Sequence, residues 1–559
     1  MPARWFFPIA LAALACRQGE PADLVLQGGV VYPKARDSSP AEAIAVRDGR
    51  IVFVGGDREA EGYIGRETRV IALGGRMVLP AFRDSHIHPR GGIQLGECPL
   101  DGLDRAAAVL DSVARCGAAR PGTAWLRGSG WQLPVFPDAN PRKEWLDRLE
   151  PGRPVYLRAA DGHSAWVNSR ALELAGITRA TPDPPNGRIE RDPRTGEPSG
   201  TLRESAMNLV GRLLPPRSAR EIEEGLLRAV ALANRYGIIA LHDASTDPEL
   251  LAAWAALDSA GRLSARVTAA VRVDPEAGSP GVDSLRAWRS RFSGRRHFTI
   301  RAAKVFVDGV IEARTAALLT PYLGDGNQGE PNFSSRGLDT LVAALDAAGF
   351  QVHAHAIGDR AVRMALDAFA FARRLNGPRD ARPIIAHLQL IDTADVPRFA
   401  RDRVAASFQP LWAQADEYIT RLTEPVLGPE RSARLYPIGS VARTGAVIAA
   451  GSDWPVSEMN PLEAIQVAVT RRPVAAGPGP AWLPDQLVSL ETILAGYTSG
   501  GAWAAGEEAV AGTLEIGKLA DLIVLDRDLF RLPAPEIHRA RVVLTLLEGR
   551  EVWRDSSLP

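Results

Sequence analysis

The sequence contains little cysteine or histidine and has no excess charge of either sign. Its 559 residues include nine histidines and three cysteines, Cys16, Cys98 and Cys116. Three cysteines without a Cys-x-x-Cys pair exclude a zinc knuckle and a disulfide framework, and we expect Cys98 and Cys116 to be small buried or loop residues. Lysine plus arginine and aspartate plus glutamate each total 66, so the charge gives no indication of a nucleic-acid partner.

Long apolar runs are also absent after the amino terminus. There, Arg4 precedes an apolar run from Trp5 to Ala15 that ends at Cys16. The run is too short for a membrane span but is typical of a signal-peptide core, and Ala13-Leu14-Ala15-Cys16 resembles a bacterial lipoprotein signal. We therefore predict that residues 1–16 are a signal peptide, with export to the periplasm or a lipid anchor at Cys16 in the bacterial envelope. The alternative is a poorly ordered cytoplasmic tail.

Both ends of the remaining chain contain short apolar segments separated by tight turns. Near the amino end, Asp48-Gly49 separates two apolar runs, which is a strong hairpin signal. The carboxyl end repeats this pattern around Glu548-Gly549. Because chain termini often lie close together, we predict one small β-sandwich domain built from residues 17–77 and 501–559.

The middle of the chain alternates short apolar strands with helical stretches, as parallel βα units do. Eight such strands predict an α/β fold, a closed (β/α)8 TIM-type barrel over residues 78–500. The long gap at about 89–236 indicates an insertion after strand one, where it would shape the substrate pocket. The predicted strands are 78–82, 237–242, 266–273, 298–307, 351–355, 383–387, 404–408 and 446–450.

Residues that bind metals follow the predicted strands where a barrel gathers its strand ends. His86 and His88 come after the first strand, and alternate residues of an extended chain point to one side. Alone, this pair is weak support for a metal site. The pattern continues on strands four, five, six and eight with Lys304, His355, His387 and Asp453. Since the strand ends meet at one barrel mouth, we expect a site for zinc or a similar divalent ion.

This arrangement resembles the amidohydrolase superfamily of metal-dependent hydrolases. Several segments are similar, more narrowly, to its YtcJ-like branch, which includes N-substituted formamide deformylase. The resemblance covers nearly all of the chain after the leader, and its motifs are specific for the branch but not for a substrate. The segments are PAFRDSHIH at 80–88, DGH at 161–163, VNSRAL at 167–172, KVFVDG at 304–309, HAIGDRA at 355–361, GSDWPV at 451–456 and GKLADL at 517–522.

The resemblance implies roles for five histidines, four in these segments and His387 at the end of strand six. His86 and His88 are implied to hold one divalent metal ion, expected to be zinc, and His355 and His387 a second. His163 lies in the insertion and is expected to contact the carbonyl of a small-molecule substrate. A purely structural role for His163 in a turn is equally compatible with the sequence.

Lys304 and Asp453 are the two members of the pattern that are not histidines. A protonated lysine has no lone pair for a metal, and the resemblance implies that CO₂ carbamylates Lys304 so that it bridges the two ions. The alternative is an ordinary lysine paired with Asp308. Asp453 is expected to contact a metal and to act as general base and then general acid, whereas the alternative is an aspartate that only stabilises a turn.

The predicted activity is hydrolysis of an amide or formamide-like C–N bond by metal-activated hydroxide. Two alternatives stay open: a ring deaminase with one metal ion and no carbamate, and a lipid-anchored binding protein that has lost catalysis. The predicted partner is a small-molecule substrate, with membrane contact only through the leader. The sequence gives no indication of oligomeric state.

Overall fold

A computed structural model describes residues 20–35, 39–122, 124–273, 278–324 and 326–558, without the side chains of 278–280. The predicted signal peptide, including Cys16, lies outside these residues. Within them, no helix is both long and apolar enough to cross a lipid bilayer.

Eight parallel strands in sequential order form the centre of the molecule, which confirms the predicted α/β barrel. Strands β1 and β8 adjoin at a seam, where the Asp453 amide donates to the His86 carbonyl at 2.7 Å and the His88 amide to the Trp454 carbonyl at 2.8 Å. The strands are β1 (Phe82–Ile87), β2 (Ile238–Thr246), β3 (Arg266–Arg272), β4 (Phe298–Phe306), β5 (Gln351–Ala356), β6 (Ile384–His387), β7 (Ala405–Phe408) and β8 (Ile448–Ala450).

The first barrel strand differs from the predicted segment 78–82. Residues Met77–Pro80 pair instead with Val30–Val31 and Leu522–Leu525, in a sheet formed by the two chain ends. The true β1 reads Phe-Arg-Asp-Ser-His-Ile, and all six residues are buried. Because most of β1 is polar, the apolar pattern favoured the preceding run.

Helices surround the barrel and pack buried apolar side chains against its strands. In the helix Ala219–Arg235, Ser218 and Glu221 form a reciprocal capping box at the start, and Ile222, Leu226 and Ala233 face inward on helical spacing. The barrel helices are Ala219–Arg235, Pro248–Ser259, Gly278–Arg291, Ser335–Ala347, Asp359–Asn376, Val396–Arg401, Ile438–Arg443 and Pro461–Thr470. Shorter helices are Asp57–Ala60, Gly91–Gln94, Ala106–Ala119, Lys143–Leu149, Ser169–Leu174, Met207–Gly211, Glu424–Leu427, Pro429–Ser432, Leu490–Ala495 and Gly501–Ala505.

Two further sheets pack together beside the barrel around one apolar core that includes Leu26, Ile44 and Leu544. The first sheet contains Arg50–Gly55, Ala43–Arg47, Leu24–Gln27 and Arg69–Ala72, in that order. The second contains Val30–Val31, Met77–Pro80, Leu522–Leu525, Val542–Leu547 and Arg550–Arg554. The helix Gly501–Ala505, which the prediction assigned to this domain, packs on the barrel instead, because Ala504 contacts a cluster with Ala405 and Ala449.

The chain between β1 and β2 folds into a six-stranded sheet with its own core around Trp131, Phe136 and Trp166. Cys98 and Cys116 are buried in this insertion, as expected, but they also form a disulfide with each other, which the sequence did not predict. Its edge strand packs against the helix Ala106–Ala119, which brings their Cα atoms to 5.7 Å. The strands are Gly187–Arg191, Pro198–Glu204, Ser164–Val167, Val155–Ala159, Leu126–Trp131 and Cys98–Pro99 in sheet order.

Candidate metal centre

Three histidines converge on the Asp453 carboxylate at the mouth of the barrel. Asp453 Oδ1 lies 2.9 Å from His88 Nε2 and 3.4 Å from His86 Nε2, while Oδ2 lies 3.7 Å from His387 Nδ1. Ligand atoms of His86, His387 and Asp453 all lie within 4.8 Å of one another, and these three residues are buried. A divalent ion could therefore be held at this point. This group contains one histidine of each predicted ligand pair, His86 of the first pair and His387 of the second.

Lys304 and His355 complete the predicted set around the same point. Lys304 Nζ lies 3.4 Å from His86 Nε2, and the His355 ring centroid lies 4.4 Å from that of His387. His355 Nε2 donates to the Gly309 carbonyl at 3.1 Å. All six residues proposed from the sequence as metal ligands thus meet in one place, although their individual roles stay predictions.

Polar side chains behind these residues fix the orientation of two histidines. His353 Nε2 lies 2.8 Å from His86 Nδ1, and His353 Nδ1 lies 3.4 Å from His242 Nε2. His387 Nδ1 donates to Gln409 Oε1 at 3.0 Å. Such partners set the tautomer and direction of metal-binding imidazoles. Sequence reasoning missed Gln409, although a polar residue directly after the buried strand β7 was a signal for it.

Asp84 joins β1 to the segment after β8 at the seam of the barrel, next to the metal-binding residues. Its Oδ1 accepts hydrogen bonds from the amides of His86 and Ser452, and its Oδ2 accepts one from Ser452 Oγ at 2.5 Å. Asp453 follows at φ 55° and His387 lies at φ 79°, in a region that non-glycine residues seldom adopt. Such conformations cost roughly 1–3 kcal/mol each and concentrate at functional sites.

Burial controls the protonation of the cluster. It lowers the pKa values of His86, His355 and His387 well below the usual range, so their imidazoles are neutral at pH 7 and keep a lone pair for a metal. Burial also lowers the pKa of Lys304 to about 7. Asp453 Oδ1 is buried without a hydrogen-bond partner among the described residues. A carboxylate oxygen without a hydrogen-bond partner beside the neutral imidazole of His86 fits a divalent ion.

His163 enters the same cavity from the insertion. Its Nδ1 lies 2.9 Å from Glu204 Oε2, and its ring centroid lies 5.6 Å from that of His355. Burial disfavours the charged ring, but attraction to Glu204 and Asp161 outweighs burial and raises the pKa of His163 to about 9. Sequence reasoning missed Glu204, because only the antiparallel pairing of Ser164 with Arg203 brings these distant segments together.

The cavity above the cluster has a volume of about 1190 Å³, which is large enough for a substrate of drug-like size. Its wall includes His163, Glu204, Asp243, Trp412 and Tyr418. Trp412 stacks on His387 with ring centroids 5.6 Å apart and planes 6° from parallel. The reacting end of a ligand would thus lie between the insertion and the strand ends.

Three curated relatives match almost the whole chain, and the amidohydrolase family matches residues 69–553. Protein LONG AFTER FAR-RED 3 of Arabidopsis thaliana is 30% identical, with coverage of 97% of this chain and 94% of the relative. The YtcJ protein of Bacillus subtilis (strain 168), a candidate amidohydrolase, is also 30% identical, with coverage of 95% of this chain and 99% of the relative. N-substituted formamide deformylase of Arthrobacter pascens is 27% identical, with coverage of 94% of this chain and 97% of the relative.

A solved structure agrees with this match. It is an uncharacterized metal-dependent hydrolase from Pyrococcus furiosus, with a TM-score of 0.69 and 25% sequence identity. The similarity covers 90% of this chain and 99% of the other. The fold of this chain therefore recurs in a second protein over most of the length of both chains.

Proposed function

This chain belongs to the amidohydrolase family, and on that premise we propose that it hydrolyses the C–N bond of N-substituted formamides or related N-acyl amines. The family makes it a metal-dependent hydrolase of C–N bonds. The formamide-like class is the finer part of the proposal. It is supported by similarity to N-substituted formamide deformylase over 94% of this chain.

One observation carries the proposal: six residues from five barrel strands meet around one point at the bottom of one cavity. They are His86, His88, Lys304, His355, His387 and Asp453. Nitrogen and carboxylate donors of this kind suit zinc. A bound divalent ion polarises a carbonyl and lowers the pKa of water to about 7, so that hydroxide is available at neutral pH.

Asp453 is suited to move the proton in this reaction. Its Oδ1 has no hydrogen-bond partner among the described residues and faces His88 Nε2 at 2.9 Å. We infer that Asp453 accepts a proton from the attacking water and returns it to the amide nitrogen as the C–N bond breaks. The amine then leaves in neutral form and the acyl group as a carboxylic acid, whose proton passes to the released amine to give a carboxylate and an ammonium ion.

His163 is suited to orient the substrate carbonyl. Glu204 binds its Nδ1, which leaves Nε2 as the remaining donor in the cavity. With a pKa of about 9, the ring carries a proton on both nitrogens at neutral pH. A donor at this point would stabilise negative charge that develops on the carbonyl oxygen.

A carbamylated Lys304 and a pair of zinc ions form the second fine point of the proposal. Lys304 is fully buried beside His86, and Asp308, its alternative partner, accepts hydrogen bonds from the amides of Ala317, Ile357 and Gly358. A buried amine with a pKa of about 7 is about half neutral at pH 7, and the neutral amine is the form that adds CO₂. The intact mass of the active protein and its metal content would test this point.

The proposal is tested by loading the enzyme with zinc and assaying a panel of N-formyl and N-acetyl amines. We expect release of the amine and a carboxylate, with the highest kcat/KM among formamides. Release of ammonia from ring substrates with one metal per chain would favour the deaminase alternative. A stoichiometrically loaded protein without turnover on the panel would favour the binding-protein alternative.

We also propose that the protein is exported, either to the periplasm or to a lipid anchor at Cys16. The Cys98–Cys116 disulfide supports an oxidising compartment, because such bonds persist outside the cytosol. Fractionation of the native host should find the protein in the envelope, and Cys16→Ala should release a lipid-anchored form from the membrane. A cytosolic protein with both thiols free would contradict export.

A further inference from the structure

The cavity wall is far more acidic than the chain as a whole. The chain has 66 basic and 66 acidic residues, but the cavity is lined by ten carboxylates and four lysine or arginine side chains. The carboxylates are Asp101, Asp161, Glu204, Asp243, Asp247, Asp308, Glu312, Asp416, Asp453 and Glu458, and the cations are Arg90, Arg158, Arg272 and Lys304, together with the protonated ring of His163. A cleft of one charge sign raises the local concentration of ligands of the opposite sign.

Asp243 is one of three carboxylates in this wall, with Asp161 and Asp453, that have a buried oxygen without a hydrogen-bond partner among the described residues. It is 1% exposed and lies in the mouth-side half of β2, paired in register with Ile87 beside His88. Trp254 Nε1 donates to its Oδ2 at 2.9 Å. Its Oδ1 has no hydrogen-bond partner within the described part of the chain. One oxygen is therefore fixed, and the other is left for a donor from the cavity.

The arginines that line the cavity make contacts away from Asp243. Arg90 binds Asp247, Arg158 donates to the Gly162 carbonyl at 3.1 Å, and the Arg272 guanidinium lies 5.3 Å from the Phe306 ring centroid. The acidic character of this side of the cavity therefore persists. A ligand cation would both complete the hydrogen bonding of Asp243 and reduce the charge of the wall.

Asp243 and His163 reach the cavity from nearly opposite sides of the barrel axis. Asp243 belongs to β2, which pairs with β1, while His163 contacts His355 on β5. In an eight-stranded barrel, β5 faces β1 across the axis. A substrate whose carbonyl is oriented by His163 would direct its other end toward Asp243.

We propose that the substrate carries a positively charged amino group on the amine side of the scissile amide, and that Asp243 Oδ1 accepts a hydrogen bond from it. The substrate class is thus a mono-N-acylated diamine. This inference rests on the proposed function and specifies its substrate. The exposed residues Asp101 and Glu458 lie farther out on the cavity wall and attract the same cation over a longer distance.

The test compares two substrates of nearly equal shape on the zinc-loaded, full-length enzyme. N-formylputrescine carries an ammonium group where N-pentylformamide carries a methyl group. We expect kcat/KM to favour the cation by at least about tenfold, which corresponds to about 1.4 kcal/mol, and the preference should shrink at high salt. Equal values for both substrates would overturn the inference and leave the proposed function intact.

Asp243→Asn removes the charge and keeps an oxygen for Trp254. We expect the preference for the cation to fall at least about fivefold, whereas Asp104→Asn, at a side chain 87% exposed and outside the cavity, should leave it unchanged. Circular dichroism checks that each variant is folded. If Asp243→Asn does not fold, Glu458→Gln replaces it, with an expected loss of about twofold. A preference unaffected by the folded variant would overturn the role of these carboxylates.

Binding separates this inference from the proposed function. If the enzyme hydrolyses neither formamide, calorimetry measures the affinity of both compounds for the same loaded protein. Tighter binding of N-formylputrescine, lost in Asp243→Asn, would retain the inference and reject formamide hydrolysis. Equal affinities would reject both.

Discussion

Buried charged side chains have different partners at the two ends of the barrel, which are the base (the amino ends of the strands) and the mouth (the carboxyl ends). At the amino ends of the strands, Arg266 on β3 binds both Asp521 and Glu548, and His297 also binds Glu548. At the carboxyl ends, Asp453 and Asp243 each have one oxygen without a hydrogen-bond partner among the described residues. The first arrangement satisfies its charges within the protein, and the second leaves donors and acceptors for a ligand.

The pKa values differ in the same direction. Burial would raise the pKa of Glu548, but hydrogen bonds from Arg296, His297 and Arg266 outweigh it and lower the pKa to about 2. At the mouth, burial dominates and raises the pKa of Asp243 to about 6 and that of Asp308 to about 7. Buried carboxylates in a cleft whose pKa values are raised by desolvation are candidates for functional groups. We therefore expect mutations at the mouth to change activity and mutations at the base to change stability.

The largest effect is expected for Asp453→Asn at the mouth. Loss of the group that moves the proton should lower kcat by at least about a thousandfold. Circular dichroism should show a folded protein, and metal analysis should still find bound metal. Turnover near the wild-type rate would contradict the assigned role.

Asp521→Ala, at the amino ends of the strands, should lower stability and leave kcat nearly unchanged, the reverse of Asp453→Asn. It leaves the buried Arg266 with Glu548 alone, which should lower the free energy of unfolding by about 3 kcal/mol. The kcat of the folded fraction should stay within about twofold of wild type. Urea denaturation and steady-state kinetics measure both, with the exposed Asp104→Ala as control. A large loss of kcat without a loss of stability would break the contrast between the two ends.

Removal of the disulfide in the insertion tests a region above the mouth. Cys98→Ser with Cys116→Ser should lower stability by about 2–3 kcal/mol, because the cross-link spans 18 residues. Since the insertion lines the cavity, we expect KM to rise more than kcat falls. Thermal unfolding with and without reductant should reproduce the effect in wild type, and an unchanged midpoint would contradict it.

At the amino ends of the strands, we expect a smaller effect, on the pH dependence of the free energy of unfolding. The pKa of Glu548 is lower in the folded protein than its usual value near 4.3, so its stabilisation is present above about pH 5 and is lost as the pH falls toward about 2. Glu548→Gln should therefore cost about 2 kcal/mol at pH 7 and less as the solution is acidified. Urea midpoints across this range measure the difference, and a constant difference would contradict the assignment.

Sequence patterns were sufficient for the barrel and for the residues that meet at its mouth. Strand ends gather by geometry alone, so Lys304, His355, His387 and Asp453 could be placed together without knowledge of any contact. The first strand was misplaced because β1 is buried but polar. Apolar alternation cannot detect a strand whose side chains face a metal site.

Contacts within the insertion could not be predicted in this way. Cys98 joins Cys116 only because an edge strand packs on a helix, and Glu204 reaches His163 only through the pairing of two hairpin strands. Their register depends on side-chain packing and not on a repeating pattern. The free oxygen of Asp243 likewise becomes visible only when Trp254 is seen to occupy the other one.

The most direct test of the metal centre is anomalous diffraction at the zinc edge from crystals of the fully active enzyme. We expect the anomalous peaks to lie among His86, His88, Lys304, His355, His387 and Asp453, with two ions and added density on Lys304 Nζ. A fully active enzyme whose zinc lies elsewhere, or that contains no metal at this point, would contradict the account.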